Sequence, residues 1–280
     1  MMRSKGSGNL RMKKLFSILY VILFSFPCVA EERLASHQAV YDIALSSTEG
    51  GAASVVNAKG KMMYKIQKVC DKWQTESVFS LDIGYELSGL DTTNWKQTTR
   101  ESADGCSFDF EVFVREKGKD RKDLAGSAVC KNDKKVLRLS VPVRSEAVFP
   151  KNVVFPVEQT LRLLEAARQG KKNVSSYVYD GTRPESLYSV NAAVSYPEKF
   201  ESEEVAGDIG LIKGKKAYRF DTAFFEEFET GNLPDGAPLY EVSLYYYDNG
   251  ISDRIVQNFS DYQLISTLKE LKSLPEKPCE

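Results

Sequence analysis

From Cys106 the even positions read Cys106, Phe108, Phe110, Val112 and Val114, and the odd ones Ser107, Asp109, Glu111, Phe113 and Arg115. A period of two with one apolar and one mostly polar face describes a β-strand. A charged turn follows around Gly118, and a second run ends at Cys130. A hairpin centred on Gly118 sets Cys106 directly opposite Cys130. The same register puts Leu124, Gly126, Ala128 and Cys130 on the face of Phe108 and Val112. One register therefore satisfies the apolar face and pairs two cysteines.

A second hairpin is predicted where Tyr240, Val242, Leu244 and Tyr246 alternate with Glu241, Ser243, Tyr245 and Tyr247 and then meet Asp248-Asn249-Gly250-Ile251. Asn-Gly supplies the two positive-φ residues of a type I′ turn. That turn sets Leu244 opposite Ile255 and Tyr240 opposite Phe259. Further strands are predicted at about 37 to 46, 53 to 66, 71 to 83, 94 to 103, 134 to 142, 174 to 180, 186 to 196 and 215 to 224. Two helices fit the remaining spacing. One opens at Pro156, a good first-turn residue, and runs to Gly170, with Val157, Leu161, Leu164 and Ala167 or Arg168 on one stripe. The other covers Ser260 to about Leu274, although Tyr262 to Thr267 fits a strand equally well. The predicted class is mostly antiparallel β, closed or strongly curved.

The first thirty residues change the picture of where the chain works. Arg11, Lys13 and Lys14 precede an apolar run from Leu15 to Phe26, Pro27 breaks it, and Cys28-Val29-Ala30 places small residues where a signal peptidase reads. The run is shorter than the ~20 apolar residues of a membrane-spanning helix, so it reads as a removed signal and not as a stable membrane span. Met12 is an alternative start. Proline before Cys28 argues against a lipoprotein cysteine. Removing residues 1–30, which carry five basic residues and no acid, leaves 33 basic against 39 acidic residues, a net charge of about −6. Such a chain has no basic footprint for nucleic acid. No low-complexity linker or internal repeat divides residues 31–280, which are read as one domain. Four cysteines remain, Cys70, Cys106, Cys130 and Cys279, an even number for an oxidising compartment.

Several short stretches, in order, carry a resemblance. They are Leu34 to Asp42, Cys70-Asp71-Lys72-Trp73, Phe155-Pro156-Val157-Glu158 ahead of a helix ending Ala166-Ala167-Arg168-Gln169-Gly170, Tyr179-Asp180-Gly181, Asp248 to Ser252, and the terminal Cys279. Together they resemble the EipB-type cell-envelope integrity family of Gram-negative bacteria. The resemblance implies a periplasmic protein with a many-stranded, spiral-like broken β-barrel stapled by a disulfide. It further implies a part in envelope integrity and stress resistance. It pairs Cys70 with Cys279, leaves Cys106–Cys130 to the hairpin register alone, and points to a periplasmic tetratricopeptide-repeat protein as a partner.

Enzyme chemistry has little to build on. His37 is the single histidine, so multi-histidine metal sites and two-histidine acid/base pairs are excluded. No Gly-x-Ser-x-Gly elbow, Cys-x-x-Cys pair or glycine-rich phosphate loop is present, and no cofactor or metal is implied. His37 is expected to be a hydrogen-bonded structural residue near the domain's N-terminal edge. Asn173-Val174-Ser175 and Asn258-Phe259-Ser260 match the glycosylation pattern by chance in a bacterial export context. Phe224, Phe225 and Phe228 interleave with Glu226, Glu227 and Glu229, and with Tyr245, Tyr246 and Tyr247 they make the C-terminal third aromatic. Core packing between curved sheets explains them most simply. The functional alternative is a concave apolar surface for a lipid or a lipoprotein acyl chain.

Overall fold

The structure, a computed structural model, describes residues 34–48, 55–116, 119–184, 187–226, 237–259 and 261–279. The export segment 1–30, including Cys28 and Met12, lies outside the described residues, as do Gly118, Glu227, Phe228, Glu229 and Ser260.

The first half is an antiparallel meander in which each strand pairs with the one before it: β1 (His37–Thr48), β2 (Val55–Val69), β3 (Lys72–Tyr85), β4 (Gly89–Ser102), β5 (Ser107–Glu116), β6 (Lys119–Lys131), β7 (Lys134–Val141) and β8 (Ser145–Pro150). A two-residue strand β9 (Val153–Val154) and the helix α1 (Pro156–Arg168) follow. The second half comprises β10 (Asn173–Tyr179), β11 (Leu187–Ser195), β12 (Ala206–Gly207), β13 (Ala217–Glu226), β14 (Tyr240–Tyr247), β15 (Ser252–Asn258) and β16 (Tyr262–Ser273). β16 returns to pair antiparallel with β1, so the halves join into one nearly closed barrel. Its ends are β8 and β9, consecutive in the chain yet not paired, and the seam lies between them.

Pairing carries one face from strand to strand. Tyr41 lies beside Met62, Met62 beside Phe79, and Phe79 beside Trp95. That face points inward, where α1 packs. Leu163, Leu164 and Ala167 of the helix share a buried cluster with Ile66 and Trp73 of the first half and with Val194 and Phe220 of the second. Beside the seam, Phe108, Phe110, Phe155 and Tyr179 form a second core, with Phe155 stacked on Phe108 at 4.7 Å. The buried stripe of α1 is wider than a surface helix needs, because the barrel surrounds it on several sides.

The expected second helix is a strand. β16 buries Leu264, Ser266 and Leu268 in alternation and has partners on both edges. Leu264, Leu268 and Leu271 imitate helical spacing because of a bulge. Tyr41 pairs with Leu268 and Val40 with Glu270, so the extra residue Lys269 turns Leu271 back inward.

The turn at Asn249-Gly250 also differs from expectation. Gly250 has φ +83°, but Asn249 is not in the positive-φ region, so the turn is not type I′. The Tyr247 N–H donates to the Ile251 carbonyl and the Gly250 N–H to the Tyr247 carbonyl, each at 2.8 Å, closing a three-residue loop. The loop shifts the register by one, giving Tyr245–Asp253. A bulge at Arg254, φ +48°, shifts it back, and the outer pairs Val242–Gln257 and Glu241–Asn258 keep the register expected from the alternation.

Gly60 marks the tightest point of the meander. A Cβ there would overlap the Ser80 carbonyl oxygen and lie 3.1 Å from the Leu81 Cα, both of them backbone atoms of the next strand. Gly60→Ala is therefore expected to destabilise the fold by about 1–3 kcal/mol, read as a lower urea midpoint at unchanged slope. An unaltered midpoint would show that β2 and β3 can separate freely at this position.

Candidate functional site

Two devices hold the molecule together at the end where α1 packs. The first is a C-terminal clasp. β1 begins opposite Ile66, so β2 projects past it from Gln67 to Val69 with one edge uncovered. The chain after β16 fills that edge. Leu274 N–H donates to the Ser36 carbonyl at 2.9 Å, the Gln67 amide to the Pro275 carbonyl at 2.7 Å, Lys277 N–H to the Lys68 carbonyl at 3.0 Å and Cys70 N–H to the Lys277 carbonyl at 2.8 Å. Cys70, in the left-handed region at φ +57°, then joins Cys279 with the Cα atoms 4.5 Å apart. The edge covered is this projection of β2 and not the free end of the sheet, which stays at the seam.

The second device ties the start of α1 to the β5–β6 hairpin. Cys106 and Cys130 are bridged, with their Cα atoms 4.9 Å apart and the Cys130 N–H on the Cys106 carbonyl. Cys130 pairs with Lys135 across β6 and β7. Lys135 is 3 % exposed, lies 4.1 Å over the Phe155 ring and reaches Glu158 at 3.7 Å. Glu101 of β4 closes the cluster. Phe155 offers no side-chain cap to the helix, and Pro156 has no N–H, so the first free donors are Val157 and Glu158. Both donate to the Glu101 carboxylate, at 2.8 and 2.7 Å. Burial pushes the Glu101 carboxyl up to about 7, against the downward pull of those two N–H groups and of Lys135. Burial likewise pulls the Lys135 ammonium down.

Glu101 and Lys135 are not among the residues expected from the sequence, yet the sequence carries a signal for them. Each interrupts an inward-facing alternation, Glu101 after Trp95, Gln97 and Thr99, and Lys135 before Leu137 and Leu139. A charged residue on the apolar side of a strand needs a buried partner.

His37 sits at the first position of β1 with its Nδ1 2.7 Å from the Ala35 carbonyl oxygen. Burial lowers its pKa and so favours the neutral ring, and its Nε2 has no hydrogen-bond partner among the described residues. All four described cysteines are bridged, and among the described residues no group of three His, Cys, Asp or Glu side chains converges as a metal site.

The aromatic residues of the C-terminal third do not form one surface. Phe224 stacks on Tyr240 at 4.5 Å inside the barrel, and Tyr246 also faces inward, against Phe220. Tyr245 faces outward and stacks on Phe200 at 3.8 Å, while Tyr247 is buried beneath the segment around Phe200 and Ser202.

The match to known proteins is continuous across this architecture. Residues 29–275 fit the family described as EipB-like. The chain belongs to the EipB-like family. A curated relative, the cell envelope integrity protein EipB of Brucella abortus, is 23% identical over 242 residues, which span 85% of this chain and 84% of that protein. A crystal structure from Brucella abortus, described as a beta-barrel-like protein of a domain of unknown function, superposes with a TM-score of 0.77. It is 21% identical and covers 87% of this chain and 99% of its own, so the fold is shared. The EipB-like match includes Cys70, Cys106 and Cys130 and stops four residues before Cys279. The clasp is fixed by this chain's own hydrogen bonds and sulfur positions.

Proposed function

We propose that this EipB-like chain is exported to the periplasm and supports cell-envelope integrity and stress resistance without catalysis, by contacting other envelope proteins. The observation that carries this reading is the EipB-like match across residues 29–275, together with a relative named for envelope integrity. The architecture supports it. Two bridges fit an oxidising compartment, and no helix among the described residues is long and apolar enough to cross a membrane. The partner that the family resemblance implies is a periplasmic tetratricopeptide-repeat protein. Deleting the gene in its native host is expected to raise sensitivity to detergents and to antibiotics that target the cell wall. The full-length gene should restore resistance, and a version lacking residues 1–30 should not. Unchanged sensitivity in the deletion strain would overturn the reading.

One observation favours a second reading, a carrier for a lipid or a lipoprotein acyl chain. Phe79 and Trp95 on one wall and Phe224, Tyr240 and Val242 on the other point inward, yet all are only half-buried. The interior between the halves is thus lined by apolar groups that neighbouring side chains do not fully cover. Mass spectrometry of lipids released from natively purified protein separates the readings. A stoichiometric acyl species supports the carrier, and its absence leaves protein contact as the function.

A further inference from the structure

The barrel has a seam, and β8 is the strand that ends the sheet on one side of it. Its ladder to β7 runs from Ser145 opposite Leu139 to Pro150 opposite Lys134. Among the described residues, the backbone of β8 makes no other hydrogen bond, so its second edge presents unpaired N–H and C=O groups. Sheet edges are normally protected by a charge on the strand, a covering segment or proline. Pro150 guards one end of β8, but the centre of its outer face is Val148, which is 52 % exposed.

An apolar row leads to that edge across the outside of the barrel. Val129 of β6 pairs with Val136 of β7, and Val136 with Val148 of β8. Val129 is 38 % exposed, and Val143, in the turn that enters β8, is 72 % exposed. The flanks of the row are basic. Lys131 and Lys134 border it on one side and Arg144 lies at the entry of β8. All three are exposed, and none has an ionic partner among the described residues. The other ionic groups nearby are already matched, Arg138 with Glu146 at 3.0 Å and Lys151 with Asp133 at 3.3 Å. Three cations without an ionic partner among the described residues thus lie beside an open edge, in a chain whose residues beyond the export segment carry a net charge of about −6.

We infer that β8 is a docking edge for an extended segment of a partner protein, one whose outer face carries β-branched residues at the centre and acidic residues at both ends and that adds to the sheet as a further antiparallel or parallel strand. Main-chain hydrogen bonds to β8 would supply affinity, as in other strand-addition complexes. On the outer face, the central β-branched side chains would extend the valine row at Val148, and the acidic ones at the two ends of the segment would meet Lys134, with Lys131 behind it, and Arg144. A second copy of this chain is the poorer occupant, since edge-to-edge pairing would bring the same three cations together. This inference rests on the protein-contact reading above and names the kind of segment contacted.

The test uses residues 31–280 and a fluorescein-labelled ten-residue peptide in which alternate positions, those sharing one face of a strand, carry valine at the centre and glutamate at both ends, with threonine at the intervening positions. Saturable binding by fluorescence anisotropy is expected, weakened by added salt, with slowed amide exchange confined to β8. Val148→Glu, on an exposed position that leaves the core intact, should weaken binding at least tenfold. The same peptide methylated on alternate backbone nitrogens should not bind, because it keeps the side chains but loses the ladder donors. No saturable binding, equal binding of the methylated peptide, or protection away from β8 would each overturn the inference. A dimer abolished by Val148→Glu would overturn it too, by assigning the edge to a second copy. A deletion phenotype that Val148→Glu fully restores, with no peptide binding, would sink the docking edge and leave the envelope role standing. Peptide binding without any deletion phenotype would do the reverse.

Discussion

Cys279→Ser is expected to lower the melting temperature by about 10 °C, more than the loss of the other bridge. The Cys70–Cys279 bond closes a loop of 209 residues, for which loop-closure entropy gives about 5 kcal/mol as an upper figure. The Cys106–Cys130 bond spans 24 residues, worth about 3.5 kcal/mol by the same reasoning. In a chain of this length each kcal/mol moves the midpoint by about 2–4 °C. The clasp has a second effect that the hairpin bridge lacks. Without it, the hydrogen bonds of Pro275 and Lys277 rest on a freely fraying end, and the projecting edge of β2 becomes available to other chains. The variant should therefore also aggregate faster on heating, while Cys106→Ser should not. Scanning calorimetry with and without a thiol reductant checks both points. An unchanged midpoint for Cys279→Ser, or an equal fall for the two variants, would show that the clasp does not constrain the unfolded chain.

Much of this fold was legible because a half-buried strand writes its period into the chain. Phe108, Phe110 and Val112 announce both β5 and the face it buries, and the register extrapolated from Gly118 holds for the outer pairs, Ser107–Val129 to Val112–Leu124, whereas a bulge at Asp123 shifts the pairs nearer the turn by one, to Phe113–Lys122. What stayed hidden was non-local. β8 and β9 are short, and Val153–Val154 becomes a strand only because β10 runs beside it. In β16 a bulge at Lys269 converts period two into a three-residue step, and only the partner strand reveals it. The β14–β15 hairpin hides two compensating shifts, at Gly250 and Arg254, behind an outer register that reads correctly. The site shows the same division. His37 could be placed at the N-terminal edge of β1 from its position in the chain. Glu101 and Lys135 come together only when β4, β7 and α1 converge, because 34 residues separate them in sequence.

Glu101 should make stability depend on pH between about 4.5 and 7. Its carboxyl titrates near 4.5 in the unfolded chain and is pushed up to about 7 by burial in the fold. Across that window the folded state binds more protons than the unfolded one, so stability falls as pH rises. The contribution is complete below pH 4.5 and lost by the time the pH has passed 7. A shift of this size corresponds to about 3 kcal/mol between pH 4 and pH 8. His37 acts in the opposite sense. Its pKa is lowered by burial, so the fold loses stability as the pH drops below about 6.5. The two contributions overlap, and a wild-type profile alone would show only their difference. Glu101→Gln isolates the first, since it keeps the side-chain shape and an acceptor for one of the two helix N–H groups while removing the charge. The variant should lose about 1–2 kcal/mol at pH 5, where one cap hydrogen bond is missing, and approach or exceed wild-type stability at pH 8, where the buried carboxylate is costly. Glu101→Ala should be worse than wild type at every pH, because the Val157 and Glu158 donors are then left unmatched inside the barrel. Urea midpoints of the three proteins from pH 4.5 to 8 decide the matter. A constant offset between wild type and Glu101→Gln across that range would mean that Glu101 stays ionised in the fold, with its two N–H donors and Lys135 outweighing burial.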